Sequence, residues 1–455
     1  MASSDDNKMG LMGLTVLVTV NMMGSGIIML PANLAGTGGI TMLSWLVTTV
    51  GALCIAYTYA KCGMFCHRDG GMSAYSQEAH GKSSFFIASY TYYICLVISA
   101  VAIAVSAVGY MKPFFPWLSE SAVHAFWGVV GVLVLTMVAN FWGPKYTGGI
   151  SSVTVWGIII PVVGLSIIGW FWFKPELFAA GWNPHHVGTM DGISSGIALT
   201  LWAFLGIETA GANSGAVRNP EKTVPLAVML ATVSVAIVYI ASTTVIQGIV
   251  PNAELAKSSA PFGLVFSMMF TPFVGQVICA LAIIACIGSL LAWQFTNAQV
   301  SWAAAQMKLF PSIFGKMNKY NAPIAGMLIM LVLELLLATM SISPNTVQQF
   351  NTLLNLSVFI NMVPYVLSQT GLFVMLRKNH VSASQWKIGA VVGAFAAIYS
   401  IYGVYACGQT AVFYGSILTL LGYIFYGFIA ANDVPSDYDV KQEKMERGYI
   451  TYPFK

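Results

Sequence analysis

Charge is what this sequence has least of. Asp, Glu, Lys and Arg make up 8% of its 455 residues, while hydrophobic residues make up 57%. Soluble domains carry about 25% charged residues. So few charges cannot cover a water-facing surface, which excludes an ordinary soluble enzyme. Disorder is excluded too, because disordered chains combine low hydrophobicity with high net charge, and here the mean hydropathy is +0.76 with a net charge of only +4. The 7 cysteines are odd in number and lie mostly in apolar stretches, so they do not form a disulfide framework. Cys62 and Cys66 have no matching Cys or His pair, and no metal site is expected. The 6 histidines fall mostly between apolar stretches, so no haem or other cofactor is expected. Residues 1–9 lack a basic region followed by a cleavage site, and no removable signal peptide is expected. No nucleic-acid partner is expected.

What is present is a set of long apolar stretches. About twelve reach the length needed to cross a bilayer as a helix. They run near 11–30, 40–60, 84–110, 122–141, 150–173, 192–214, 224–250, 272–297, 323–340, 347–375, 388–406 and 411–430. A transmembrane barrel would show short alternating segments instead. The expected fold is therefore an all-α polytopic membrane protein with a lipid bilayer around it. Two connections look structured: 70–82 as a short interfacial helix, and 299–319 as an amphipathic segment along the membrane surface. Lys and Arg set the orientation. With both termini in the cytoplasm, only Lys112, Lys174 and Lys257 of the 20 basic residues fall outside. The organisation expected is a cytoplasmic N-terminus (1–10), a transport core (11–375, as 11–173 and 192–375), two further helices (388–430) and a cytoplasmic tail (432–455).

No Lys or Arg falls within a span, and of the 16 acids only Glu208 and Glu334 do. A carboxyl in hydrocarbon is costly and marks a functional position by default. Glu208 follows Gly206 and precedes Thr209 and Gly211, a run that makes a poor continuous helix and a good broken one. Span 1 has a similar run from Asn21 through Met22, Met23, Gly24, Ser25 and Gly26. Broken helices expose backbone groups that must face a cavity or be buried in protein. Free N–H groups favour a carboxylate and free carbonyls an ammonium, which together would hold an α-amino acid. The breaks fall in spans 1 and 6, five apart, the spacing of an inverted-repeat transporter. Glu334 sits among leucines with nothing adjacent in sequence to use its charge.

The sequence runs NMMGSGIIMLP (21–31), LWAFLGIE (201–208) and RNPEKTVP (218–225) resemble the amino acid–polyamine–organocation superfamily, and within it the basic amino acid/polyamine antiporters of ornithine/putrescine type. Further likeness lies at KCGMF (61–65), SVTVWG (152–157), WNPHH (182–186), GSLLAWQF (288–295) and NMVPY (361–365), and it extends to about residue 427. The resemblance implies two inverted five-helix repeats plus two extra helices, alternating access and often a homodimer. It implies a substrate carboxylate at Ser25 and Gly26, with Met22 and Met23 before them. Aromatic gates fall on Trp202 and Trp293, and the central acid on Glu208, beside Ile207. Other substrate-influencing positions fall on Cys62, Tyr92, Tyr423 and Tyr426, and a polar wall position on Ser357. Two places depart from the relatives. Their acid in the 70–82 stretch matches Gln77, whereas here the acid is Glu78, and their asparagine falls near Ala100. The expected function is exchange of an external basic amino acid for its decarboxylated amine across the bacterial inner membrane. A histidine/histamine pair and a proton-coupled polyamine or amino acid symporter are the alternatives.

Overall fold

The computed structural model describes residues 10–66, 70–208, 217–340, 342–343 and 345–432, without the side chains of Asn21, Ser25, Pro220, Glu221 and Asn432. The expectations for the two terminal tails and for Thr209 and Gly211 lie outside the described residues. Every regular element among the described residues is a helix. Among the described residues nine helical stretches are long and apolar enough to cross a membrane: Gly39–Phe65, Lys82–Met111, Ala122–Asn140, Pro144–Trp172, Lys222–Ile249, Pro272–Gln306, Thr346–Lys378, Ala383–Ala406 and Gly408–Ala431.

The three other apolar stretches of the sequence form shorter helices. The first gives α1 (Leu11–Met22) and α2 (Leu30–Ala35), with a 3-10 turn at Ser25–Ile27 between them. The chain continues through α3 (Met42–Phe65), α4 (Met72–His80), α5 (Lys82–Met111), α6 (Ala122–Asn140), α7 (Pro144–Thr154) and α8 (Trp156–Ile168). The sixth stretch gives α9 (Thr189–Trp202), which stops at Trp202 and runs on as turns through Glu208. Then come α10 (Pro220–Ile249), α11 (Pro272–Gln306), α12 (Ile324–Met340), α13 (Thr346–Lys378), α14 (Ala383–Ala406) and α15 (Gly408–Asn432).

The segment 299–319 is not a separate surface helix. Its first part continues α11 to Gln306, and a 3-10 turn at Ser312–Gly315 follows. Phe310 and Phe314 turn inward onto Tyr93, so the apolar side of this segment meets protein. The 70–82 stretch does form a helix, α4. It lies against α13, with His80 bonded to Thr370 at 2.8 Å and Lys378 paired with Glu78 at 2.7 Å.

The helix that organises the core is α5, buried along nearly its whole length and packed against α11 and α13. A membrane helix gains little from apolar burial, since lipid is as apolar as leucine. Close packing and polar contacts therefore hold such a bundle together. Both are visible here. Glycine brings Gly157 and Gly288 of neighbouring helices against Leu281 and Thr154, and Ser, Thr and Tyr hydroxyls bridge between helices, as between Thr48 and Thr200 at 2.6 Å.

Candidate functional site

The two helix breaks meet. Between α1 and α2 the freed carbonyls of Met22 and Ile28 accept hydrogen bonds from the hydroxyls of Tyr239 and Tyr110, each at 2.9 Å. Backbone carbonyls inside a membrane protein need such partners, and two buried tyrosines supply them. A Cβ at Gly26 would stand in ordinary van der Waals contact with the Ala203 backbone at 3.4 Å and the Trp202 ring at 3.7 Å, so the first break lies directly on the second.

After Trp202 the chain turns through 203–208. The turn depends on Gly206, whose φ of +111° lies in the region open to glycine. That conformation aims the Gly206 N–H at Glu208 Oε2, 2.9 Å away. The same carboxyl accepts from Tyr92 on α5 at 2.9 Å, through Oε1, and from Tyr365 on α13 at 2.7 Å, through Oε2. Among the described residues three donors meet its two oxygens, an arrangement that suits an ionised carboxylate. Hydrogen bonds to a charged group contribute roughly 1.5–3 kcal/mol each, enough to offset part of the cost of burial.

Glu208 opens on a cavity of about 40 Å³. Its wall includes Met22, Gly24 and Gly26 of the first break, Trp202 and Leu205 of the second, and Trp293 of α11. Tyr92, Cys95 and Ser99 line it from α5 and Asn361 from α13. A single water needs about 10–15 Å³ of such space, so the cavity has room for only a few waters and is too small for an amino acid. Gly24 and Trp293 also line a second cavity, of about 290 Å³, between α1, α7 and α11. Ser151, Ser152, Ser289 and Thr296 give that cavity polar walls. Gly24 and Trp293 are thus common to the walls of both spaces. Trp202 packs edge-on against Phe350 with ring centres 5.3 Å apart.

The structure thus gathers Met22, Gly26, Tyr92, Trp202, Glu208 and Trp293 around one cavity. Met23 and Ile207 are buried beside it but are not in its wall. The Ser25 side chain lies outside the described residues. Ser357 sits one step behind the wall, bonded to Ser99 at 2.6 Å and to Cys95 at 3.3 Å. The remaining expected positions lie elsewhere. Cys62 is buried on α3 against the Ser368 carbonyl. Gln77 and Glu78 are on α4, and Ala100 is buried without reaching the cavity. Tyr423 is exposed on α15, and Tyr426 packs on Phe86 with ring centres 5.4 Å apart. The acid shift from Gln77 to Glu78 therefore falls on a pair with Lys378, away from this cavity.

Sequence reasoning passed over Tyr365, Cys95, Ser99, Leu205 and Asn361. A signal was present. Tyr92, Cys95 and Ser99 recur at intervals of three and four, as do Ser357, Asn361 and Tyr365 at four, each marking a polar stripe on one face of an apolar helix. The second carboxyl, Glu334 on α12, meets Gln294 of α11 at 2.9 Å, through Glu334 Oε2. Glu334 Oε1 and Gln294 Oε1 have no hydrogen-bond partner among the described residues. No group of three His, Cys, Asp or Glu side chains among the described residues could hold a metal ion.

Known proteins resemble this chain over nearly its full length. The family model for amino acid permeases matches residues 9–430. The putrescine transporter PotE of Escherichia coli K12 is 51% identical over 430 residues, covering 94% of this chain and 98% of that protein. The Haemophilus influenzae PotE is 49% identical over 428 residues, with 94% and 98% covered. The cadaverine/lysine antiporter of Escherichia coli K12 is 33% identical over 429 residues, with 92% and 95% covered.

Proposed function

The chain belongs to the amino acid permease family, and from that premise we propose that it exchanges an external basic amino acid, ornithine, for cytoplasmic putrescine. The observation that carries this reading is the Glu208 carboxylate, held by Tyr92, Tyr365 and Gly206 at the wall of a cavity between two broken helices. An ammonium placed in that cavity meets a negative charge already oriented by three donors. The putrescine transporters at 51% and 49% identity support a diamine as one substrate, and the cadaverine/lysine antiporter supports exchange as the mode.

The cycle follows from the site. The amino acid seats its carboxylate at the Gly24–Gly26 break and its amine near the second break, with its side chain between Trp202 and Trp293. The closed cavity must widen to admit it, and the space beyond Trp293 is the route by which it leaves on the other side. Putrescine returns through the same site. It lacks a carboxylate and depends more on Glu208 for its charge. Exchange of a monocation for a dication moves positive charge out of the cell, and decarboxylation inside consumes a proton, so the pair supports acid tolerance. The proposed frame is twelve spans, as two inverted five-helix repeats and two further helices, in the bacterial inner membrane with both ends cytoplasmic.

Counterflow in proteoliposomes tests this. Internal putrescine is expected to drive uptake of labelled ornithine, and internal buffer alone to drive little. Uptake that ignores internal amine and collapses with an uncoupler would overturn exchange in favour of proton-coupled symport.

A further inference from the structure

Asn361 is fully buried in the cavity wall, and neither polar atom of its side chain has a hydrogen-bond partner among the described residues. An unpaired buried amide is costly, and nearly all buried polar groups in folded proteins are satisfied. Its neighbours show the contrast. Ser99 and Ser357 bond each other, and both Glu208 oxygens are taken. Of the buried side chains in this wall, only Asn361 and the Trp202 indole N–H are left without a partner among the described residues, and since an indole only donates, Asn361 alone of the two brings an acceptor.

Its place on the helices indicates what it meets. Pairings of Tyr92 and Tyr365 through Glu208, of Ser99 with Ser357, and of Lys112 with Thr346 run in opposite chain directions. Helices α5 and α13 are therefore antiparallel and carry matched polar levels. Tyr92 and Tyr365 form the Glu208 level. Asn361 lies one turn along α13 from Tyr365, with Cys95 one turn along α5 from Tyr92. Four residues along a helix rise about 6 Å, close to the separation of the two nitrogens on an extended four-carbon diamine.

We propose that Asn361 is the binding contact for the substrate's second nitrogen. Glu208 faces one ammonium, and the Asn361 Oδ1 accepts a hydrogen bond from the other one turn away. The carbonyl of an amide is a suitable acceptor because an ammonium offers three N–H donors and no acceptor. This contact would select substrates with two nitrogens at four-carbon spacing over monoamines. The inference rests on the cavity being the substrate site.

The test compares putrescine with 1-butylamine, which has the same chain and one nitrogen. Each is titrated as a competitor of labelled putrescine counterflow in wild type, Asn361→Leu and Asn361→Asp. Asn361→Leu is expected to weaken putrescine about tenfold or more while leaving 1-butylamine within a factor of about two. Asn361→Asp, which adds a charge at the same place, is expected to widen the preference for putrescine and still reports if the leucine variant fails to fold. Equal weakening of both amines, or an unchanged preference in both variants, would overturn the contact and leave an amide that only holds water. If wild type shows no putrescine counterflow, the functional reading fails and this inference with it.

Discussion

Glu208 and Glu334 are both buried carboxyls in an apolar bundle, and their surroundings differ in kind. Glu208 lies on a broken stretch, accepts from two tyrosine hydroxyls and a backbone N–H, and faces a cavity. Glu334 lies in the middle of a continuous helix, meets one amide, and borders no cavity described above. Burial alone therefore does not identify a working carboxylate. The number of donors aimed at it and the space in front of it do. An ionised carboxyl needs several donors to replace lost water, whereas Glu334 meets one amide N–H and its Oε1 has no partner among the described residues. On the proposed reading Glu208 is the charge that meets a substrate cation. Glu334 is built as a joint between α12 and α11, one residue from the cavity residue Trp293.

Glu208→Gln gives the largest expected effect. It keeps the shape and removes the charge, and loss of a buried charge from its partners costs roughly 2–5 kcal/mol. Putrescine kcat/KM in proteoliposomes should fall about 30-fold or more. An equal fall in Glu334→Gln would break the comparison outright. Next is Tyr365→Phe, which removes the 2.7 Å donor. A loss of about tenfold in putrescine affinity is expected, with ornithine less affected because its carboxylate supplies an additional contact. A cycle with Tyr92→Phe sharpens this, since both rings serve one carboxyl and their effects should not add.

Glu334→Leu should act on stability more than on turnover. It strands the Gln294 amide, at a cost of roughly 1–3 kcal/mol, read as a lower melting temperature of the purified protein. Glu334→Gln keeps a carbonyl acceptor for the Gln294 amide and should sit within about 1 kcal/mol of wild type. Smallest of all is Glu78→Ala. Its pair with Lys378 joins side chains 22% and 57% exposed, and such pairs contribute about 0–1 kcal/mol. Unchanged putrescine affinity there would place the Gln77 and Glu78 difference outside the binding site. A large loss of affinity would draw α4 into it.

The helical class and the positions of both intramembrane carboxyls were legible because each depends on local composition. The first break was legible in its glycines, and the second in Gly206 before Glu208. Segment 299–319 misled, because an amphipathic pattern does not say whether the apolar face meets lipid or protein. Here Phe310 and Phe314 meet Tyr93. Tyr423 and Tyr426 were placed with the substrate by resemblance, yet they sit on the outlying helix α15, where Tyr423 is exposed.

The sequence by itself determined that this chain is a bundle of apolar helices with two acids inside it. Hydrophobic length and scarce charge admit no other solution in a bilayer. Only the tertiary structure decided which acid is served. The donors that set Glu208 apart come from Tyr92 and Tyr365, 116 and 157 residues away. Polar stripes mark one face of α5 and one of α13, but no local pattern says that these two faces meet around Glu208. Helix packing makes that choice, and with it leaves Asn361 without a partner among the described residues, one turn along α13 from Tyr365.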